Sequence, residues 1–126
     1  MDLKLADKVI IVTGGAKGIG EGISRVLAAE GARVAIVGRN EADNLKLVRD
    51  IEGTGGKAFS IQAELTKPES AKKAVDEVIF LSGRIDGLVN NAGLNDGVGL
   101  ESGNYERFMQ SMHNNIVHYY LMAHFA

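Results

Sequence analysis

The 126-residue chain has no cysteine, a single proline, 6% aromatic residues and a net charge of only −2. Without cysteine neither a disulfide nor a thiolate metal site is available, and the chain is read as cytoplasmic. A charge so near balance gives no reason to expect nucleic acid or an anionic membrane as a partner. No apolar run approaches the roughly 20 residues of a transmembrane helix, and the opening MDLKLADKV lacks a signal peptide's long apolar centre. Sixteen glycines stand against the one proline, as expected of a fold with many tight strand-to-helix turns. The 45% apolar and 24% charged content is that of a soluble globular protein. Length suits one domain, residues 1–126, and is too short for two.

The most informative stretch is Ile10 to Gly20, IIVTGGAKGIG. An apolar run from Val9 to Val12 passes through Thr13 into a glycine-rich loop, then into a helical pattern at Ile23, Val26 and Leu27. Strand, glycine turn and helix N-terminus in that order form an anion-binding device. Glycines let the backbone approach a phosphate, and unpaired helix N–H groups point at it with the favourable end of the dipole. The loop positions expected to touch a dinucleotide are Gly14, Lys17, Gly18, Ile19 and Gly20.

Strand and helix alternate four times along the chain. Strands are predicted at 9–13, 33–37, 58–61 and 87–89. Helices are predicted from the glycine loop to about Glu30, from an Asn40 cap to Gly53, from Thr66-Lys67-Pro68 to Gly83, and from about Gly103 to the end. The inward positions are expected to include Leu45, Val48 and Ile51 on the second helix. Ala71, Ala74, Val75, Val78 and Ile79 are expected on the third, and Phe108, Met112, Ile116 and Ala123 on the last. Such alternation predicts right-handed βαβ units: an α/β, Rossmann-like doubly wound parallel sheet in strand order 3-2-1-4. Its ligand belongs at the switch point between strands one and four, outside their carboxyl ends.

TGGAKGIG, with spacing Gly14-x-x-x-Gly18-x-Gly20, resembles the cofactor loop of the short-chain dehydrogenase/reductase family. Asn90-Asn91-Ala92-Gly93 resembles that family's second signature. The resemblance implies an NAD(P)-dependent oxidoreductase that moves a hydride between nicotinamide and an alcohol or carbonyl. It implies that Asn91, Ala92 and Gly93 line the ribose and nicotinamide, with asparagine amides bridging strands, and that Glu64 and Leu65 hold the adenine. It further implies that Asn115, on the final helix, belongs to the catalytic set and perturbs the helix locally. Coenzyme choice is read at the end of strand two, where an acid accepts the ribose hydroxyls of NAD. Here Gly38 and Arg39 stand there and Lys17 lies in the glycine loop, two cations with no carboxylate. NADP is therefore expected, with NAD as second choice.

The segment NDGVGLESGNYERFMQSMHNNIVHYYLMAH looks like sugar dehydrogenases of the L-fucose dehydrogenase type. That likeness implies oxidation of a sugar hydroxyl at the anomeric carbon, with Asn95 near the substrate. The family further implies a homo-oligomer, dimer or tetramer. His113, His118 and His124 lack the i, i+4 spacing of a helical metal pair and have no carboxylate cluster beside them, so no metal site is expected.

The family's Tyr-x-x-x-Lys pair does not occur: Met109, Ala123 and His124 stand four residues after Tyr105, Tyr119 and Tyr120. Tyr119 and Tyr120 are instead expected to pack on the final helix. The resemblance thus covers the first half of a family member, truncated after the fourth strand and its helix. Three readings follow: part of a longer enzyme, a deliberately shortened chain, or a half-length dinucleotide-binding module without catalysis. Without the tyrosine–lysine pair the 126 residues alone are expected to be inactive, since general acid–base help is typically worth about 10²–10⁴ in rate.

Overall fold

A run of apolar β-branched residues suits a strand covered on both faces. In a computed structural model describing residues 1–126, Val9–Thr13 forms β1 and is buried along its whole length. There follow α1 (Gly18–Ala29), β2 (Arg33–Gly38), α2 (Glu41–Gly53), β3 (Lys57–Gln62), α3 (Pro68–Ser82) and β4 (Gly87–Val89). The chain ends in α4 (Tyr105–Met112), a π-helical turn (His113–Val117) and α5 (His118–Phe125). All strands are parallel, in the expected order β3-β2-β1-β4. Ile11 lies beside Ala35 on one side and Leu88 on the other.

Alternate residues of β1 feed two cores. Val9 and Ile11 pack with Ala35, Val37 and Ile61 against α3 and Met122 of α5. Ile10 and Val12 pack with Val34 and Ile36 against Ala28 of α1 and Leu47, Val48 and Ile51 of α2. Caps begin and end the helices where local chemistry asks for them. Asn40 accepts from the Asp43 N–H, Pro68 opens α3, and Gly83 closes it in the left-handed conformation at φ 77°.

Several helix faces differ from the periodicity reading. The inward side of α1 is Gly20, Ser24 and Ala28, whereas Val26 is exposed. Small residues four apart let α1 lie close to the sheet, and an apolar-residue pattern does not register them. On α2 the buried set is Asn44, Leu47, Val48 and Ile51, and Leu45 faces out. Ile79 of α3 is also exposed. The final helix begins two residues later than Gly103, after the Asn104 cap. It packs through His118 and Met122, while Phe108 and Ile116 are about half exposed. The π-helical turn rotates α5 relative to α4, so one 3.6-residue count does not carry through both.

β4 has only three residues, and Asp86 anchors its start. Its Oδ2 accepts from the Val9 N–H at 2.8 Å and its Oδ1 from Arg84 at 2.6 Å. Those two bonds, the arginine's first, hold the Asp86 carboxyl below the usual carboxylate range. A group with a lowered folded-state pKa contributes stability above its unfolded value, about 4, and loses it as pH falls through the folded value. The stability gap between wild type and Asp86→Asn should therefore be constant above about pH 5 and shrink below about pH 4. Urea unfolding at a series of pH values measures it, and a gap unchanged at pH 2.5 would refute the assignment.

Candidate functional site

The carboxyl ends of β1 and β4 meet at the switch point, and Thr13 ties them together. Its buried Oγ1 accepts from the backbone N–H groups of Asn91 and Ala92, each at 3.0 Å. It donates toward the Val89 carbonyl at 3.4 Å. Asn91 returns the connection: its Nδ2 donates to the carbonyls of Thr13 and Gly14, both at 3.1 Å. The expected bridging asparagine is thus Asn91. Asn90 reaches the other way and donates to the Tyr119 carbonyl of α5 at 3.1 Å.

Gly14 takes a left-handed φ of 62° and donates its N–H to Val37 at 2.8 Å, closing the loop over β2. Gly20, on the inner face of α1, lies against the Gly14 carbonyl and the Asn91 amide. Lys17 occupies the N-cap position of α1 and caps nothing with its side chain. The first N–H groups of α1 are therefore left to a ligand, the arrangement that suits a diphosphate.

A cleft of about 350 Å³ opens along these carboxyl ends. Of the residues singled out from sequence, Gly14, Lys17, Arg39, Glu64, Leu65, Asn91, Ala92 and Gly93 line it. Gly18, Ile19, Gly20, Asn95 and Asn115 do not. Gly20 supports the loop from beneath, and Ile19 is largely exposed at its rim. Asn95 is exposed, its Oδ1 accepting from the Gly97 N–H at 3.1 Å within its own turn.

Asn115 sits in the π-helical turn and braces the cleft wall. Its Oδ1 accepts from the Leu94 N–H at 2.7 Å, and its Nδ2 donates to the Ser111 carbonyl at 3.1 Å. A π turn inside a helix frequently marks a functional position. Asn114, next along, accepts from Gln110 and lines the cleft instead.

The two basic residues do not stand apart from carboxylates. Lys17 Nζ lies 2.9 Å from Asp43 Oδ2, and Arg39 lies 3.7 Å from Glu64 Oε2. Glu64 Oε1 is taken by the Thr66 N–H and hydroxyl at 3.3 and 3.0 Å. Asp43 was not marked as a site residue because it belongs to α2, four residues beyond Arg39. Only the packing of α2 on β2 and β3 brings it beneath the glycine loop.

Two buried polar residues, Asn44 and His118, lie outside the site residues expected from sequence. Buried Asn44 donates to the carbonyls of Gly38 and Ile61, at 3.1 and 3.4 Å, and so pins the ends of β2 and β3. A Cβ at Gly38 would come 2.9 Å from Asn44 Oδ1, so Gly38→Asp would disturb that pin. His118 is 2% exposed and forms part of the cleft wall. Burial pushes its imidazole below the ordinary histidine value. A polar residue in the apolar repeat 44-47-48-51 was the available signal for Asn44. For His118, the π turn that aims it inward leaves no mark in periodicity.

A four-stranded doubly wound sheet with a glycine loop, a free helix N-terminus and a cleft at its switch point defines a Rossmann-type α/β protein. Residues 8–126 match the short chain dehydrogenase family, and the chain belongs to it. It is 40% identical over 93 residues to the L-fucose dehydrogenase of Bos taurus, a span of 74% of this chain and 33% of that one. A crystal structure of a dehydrogenase/reductase from Sinorhizobium meliloti 1021 superposes with a TM-score of 0.90 at 35% identity, covering 96% of this chain and 48% of that one. A metagenomic short-chain oxidoreductase solved in complex with NADP gives a TM-score of 0.87 at 31% identity, covering 96% and 55%. The chain thus spans about half the length of these structures and a third of the bovine enzyme.

Proposed function

We propose that the protein is an NADP-linked oxidoreductase of small alcohols or carbonyls, and that these residues form its coenzyme-binding half. The observation that carries the reading is the Thr13–Asn91 knot, which presents the glycine loop and the open end of α1 to one cleft. When bound, the nicotinamide coenzyme supplies the hydride acceptor or donor. The chain's own residues bind and orient it. The first N–H groups of α1, with Gly14, Gly18 and Gly20 allowing close approach, suit the diphosphate. Leu65 and Glu64 suit the adenine, and Asn91, Ala92 and Gly93 suit the ribose and nicotinamide. Asn115 acts by holding the backbone at Leu94, beside Gly93. Arg39 suits a 2′-phosphate, with Lys17 lining the same cleft, and NAD is the second choice.

The substrate class we favour is a sugar hydroxyl, with Asn95 near it, supported by the 40% identity to an L-fucose dehydrogenase. A homo-oligomer in the cytoplasm completes the reading, with neither nucleic acid nor membrane as partner; no helix is long and apolar enough to cross a membrane. The second reading is a dinucleotide-binding module without chemistry. Aldose-dependent reduction of NADP by the whole protein supports the enzyme. Coenzyme binding without any turnover supports the module.

Arg39→Ala tests the coenzyme assignment. A charge-assisted hydrogen bond contributes about 1.5–3 kcal/mol, discounted to about 1–2 at a solvent-facing site. NADP binding should weaken by roughly 5- to 30-fold while NAD binding stays nearly unchanged. Equal losses for both coenzymes by calorimetry would assign the arginine to loop structure instead.

A further inference from the structure

Four charged side chains meet at the end of the cleft where a 2′-phosphate is read, and they sum to zero: Lys17, Arg39, Asp43 and Glu64. The two ion pairs among them are unequal. Arg39 is two-thirds exposed and lies 3.7 Å from Glu64, whose other oxygen is already held by Thr66. That pair is loose, and Arg39 leaves it at little cost. Lys17 approaches Asp43 to 2.9 Å, and the Asp43 side chain is only 30% exposed. Asp43 Oδ2 is shielded from solvent and accepts no well-angled hydrogen bond, so the ammonium of Lys17 is its sole counter-charge. Removing that ammonium would leave the Asp43 carboxylate without a counter-charge. Asp43 is held in place by the first turn of α2, where Asn40 accepts from its backbone N–H.

We propose that Asp43 is a specificity-determining residue for the coenzyme: it retains Lys17 and sets a fixed negative charge against the 2′-phosphate, so that Arg39 alone answers that phosphate. The inference rests on the coenzyme-binding reading and deepens it. A phosphate monoester carries about −1.5 to −2 charges near neutral pH. It must therefore either pull Lys17 off Asp43 or bind beside an acid with one cation fewer. NAD carries no such group, and its binding is indifferent to the pair. The neutral wall consequently favours NADP less than two free cations would.

The whole protein, titrated calorimetrically with NADP and with NAD, provides the test. Asp43→Asn keeps the shape and removes the charge. It should tighten NADP by about 3- to 10-fold, as for one charge at a partly exposed site, and change NAD by less than about 2-fold. The gain over wild type should vanish in the double variant Asp43→Asn with Lys17→Ala, because the pair is then neutral again. Lys17→Ala alone should weaken NADP by about 3- to 10-fold and change NAD by less than about 2-fold, since it leaves the Asp43 charge uncompensated beside the phosphate. This arm does not depend on how Asp43 variants fold. An unchanged NADP to NAD ratio in either single variant would overturn the proposal. If wild type binds both coenzymes and only the ratio fails to respond, this inference alone is lost. If wild type binds neither, the coenzyme-binding reading falls and this inference falls with it.

Discussion

Alanine at position 20 is expected to weaken dinucleotide binding by about 5- to 150-fold, the equivalent of the roughly 1–3 kcal/mol that overpacking costs. A Cβ there would overlap the Gly14 carbonyl oxygen and come 2.5 Å from Asn91 Nδ2. Neither neighbour is the free end of a flexible side chain: one is backbone, and the other is held by two hydrogen bonds. The loop must lift away from α1, which separates the glycine turn from the helix terminus. Overpacking of this kind also costs about 1–3 kcal/mol of stability. Gly22, two residues along the same helix, is the control, for a Cβ there meets nothing within 4 Å. Gly22→Ala should be stabilising by up to about 1 kcal/mol on helix propensity and leave binding intact. Denaturation and coenzyme titration of the two variants measure the contrast, and matching behaviour would refute the close-approach argument.

The second large effect falls on Thr13. Valine has nearly the same shape, but it leaves the part-buried N–H groups of Asn91 and Ala92 without their shared acceptor. Each stranded buried donor costs about 1–3 kcal/mol, so Thr13→Val should lose about 2–5 kcal/mol of stability. Serine keeps the hydroxyl and loses one methyl, and should recover most of that. The loop Asn91–Gly93 also forms one wall of the cleft, so the valine variant should bind coenzyme more weakly even where it remains folded. Urea midpoints at one temperature decide the matter; equal stability of the valine and serine proteins would mean that the hydroxyl is idle.

Much of this was legible because it is local. The apolar run at 9–12, the glycines around Lys17, the Asn40 cap and the Pro68 start each act over a few residues. Their alternation then admits few topologies, and the right-handed crossover rule leaves β3-β2-β1-β4 among them. Bridging by asparagine amides was implied by the resemblance of Asn90-Asn91-Ala92-Gly93 to the family signature, and the structure assigns the bridge to Asn91 while Asn90 turns to α5. The inward faces of the helices were less legible. Gly20, Ser24 and Ala28 carry too little apolar surface to stand out, and the π turn shifts the count between Met112 and His118.

By itself, the amino-acid sequence determined the sheet, its order, the position of the glycine loop and membership of a dinucleotide-binding class. It did so because strand, turn and helix signals are short-range and the chain's handedness restricts how they assemble. Only the tertiary structure decided the charge at the end of the cleft lined by Lys17 and Arg39. Lys17 and Arg39 read as two free cations along the chain. Folding α2 and the β3 loop onto the same cleft places Asp43 at 2.9 Å from Lys17 and Glu64 at 3.7 Å from Arg39. Coulomb energy depends on distance through space, and residues 26 and 25 positions apart in sequence become contacts only once the sheet has brought its loops together.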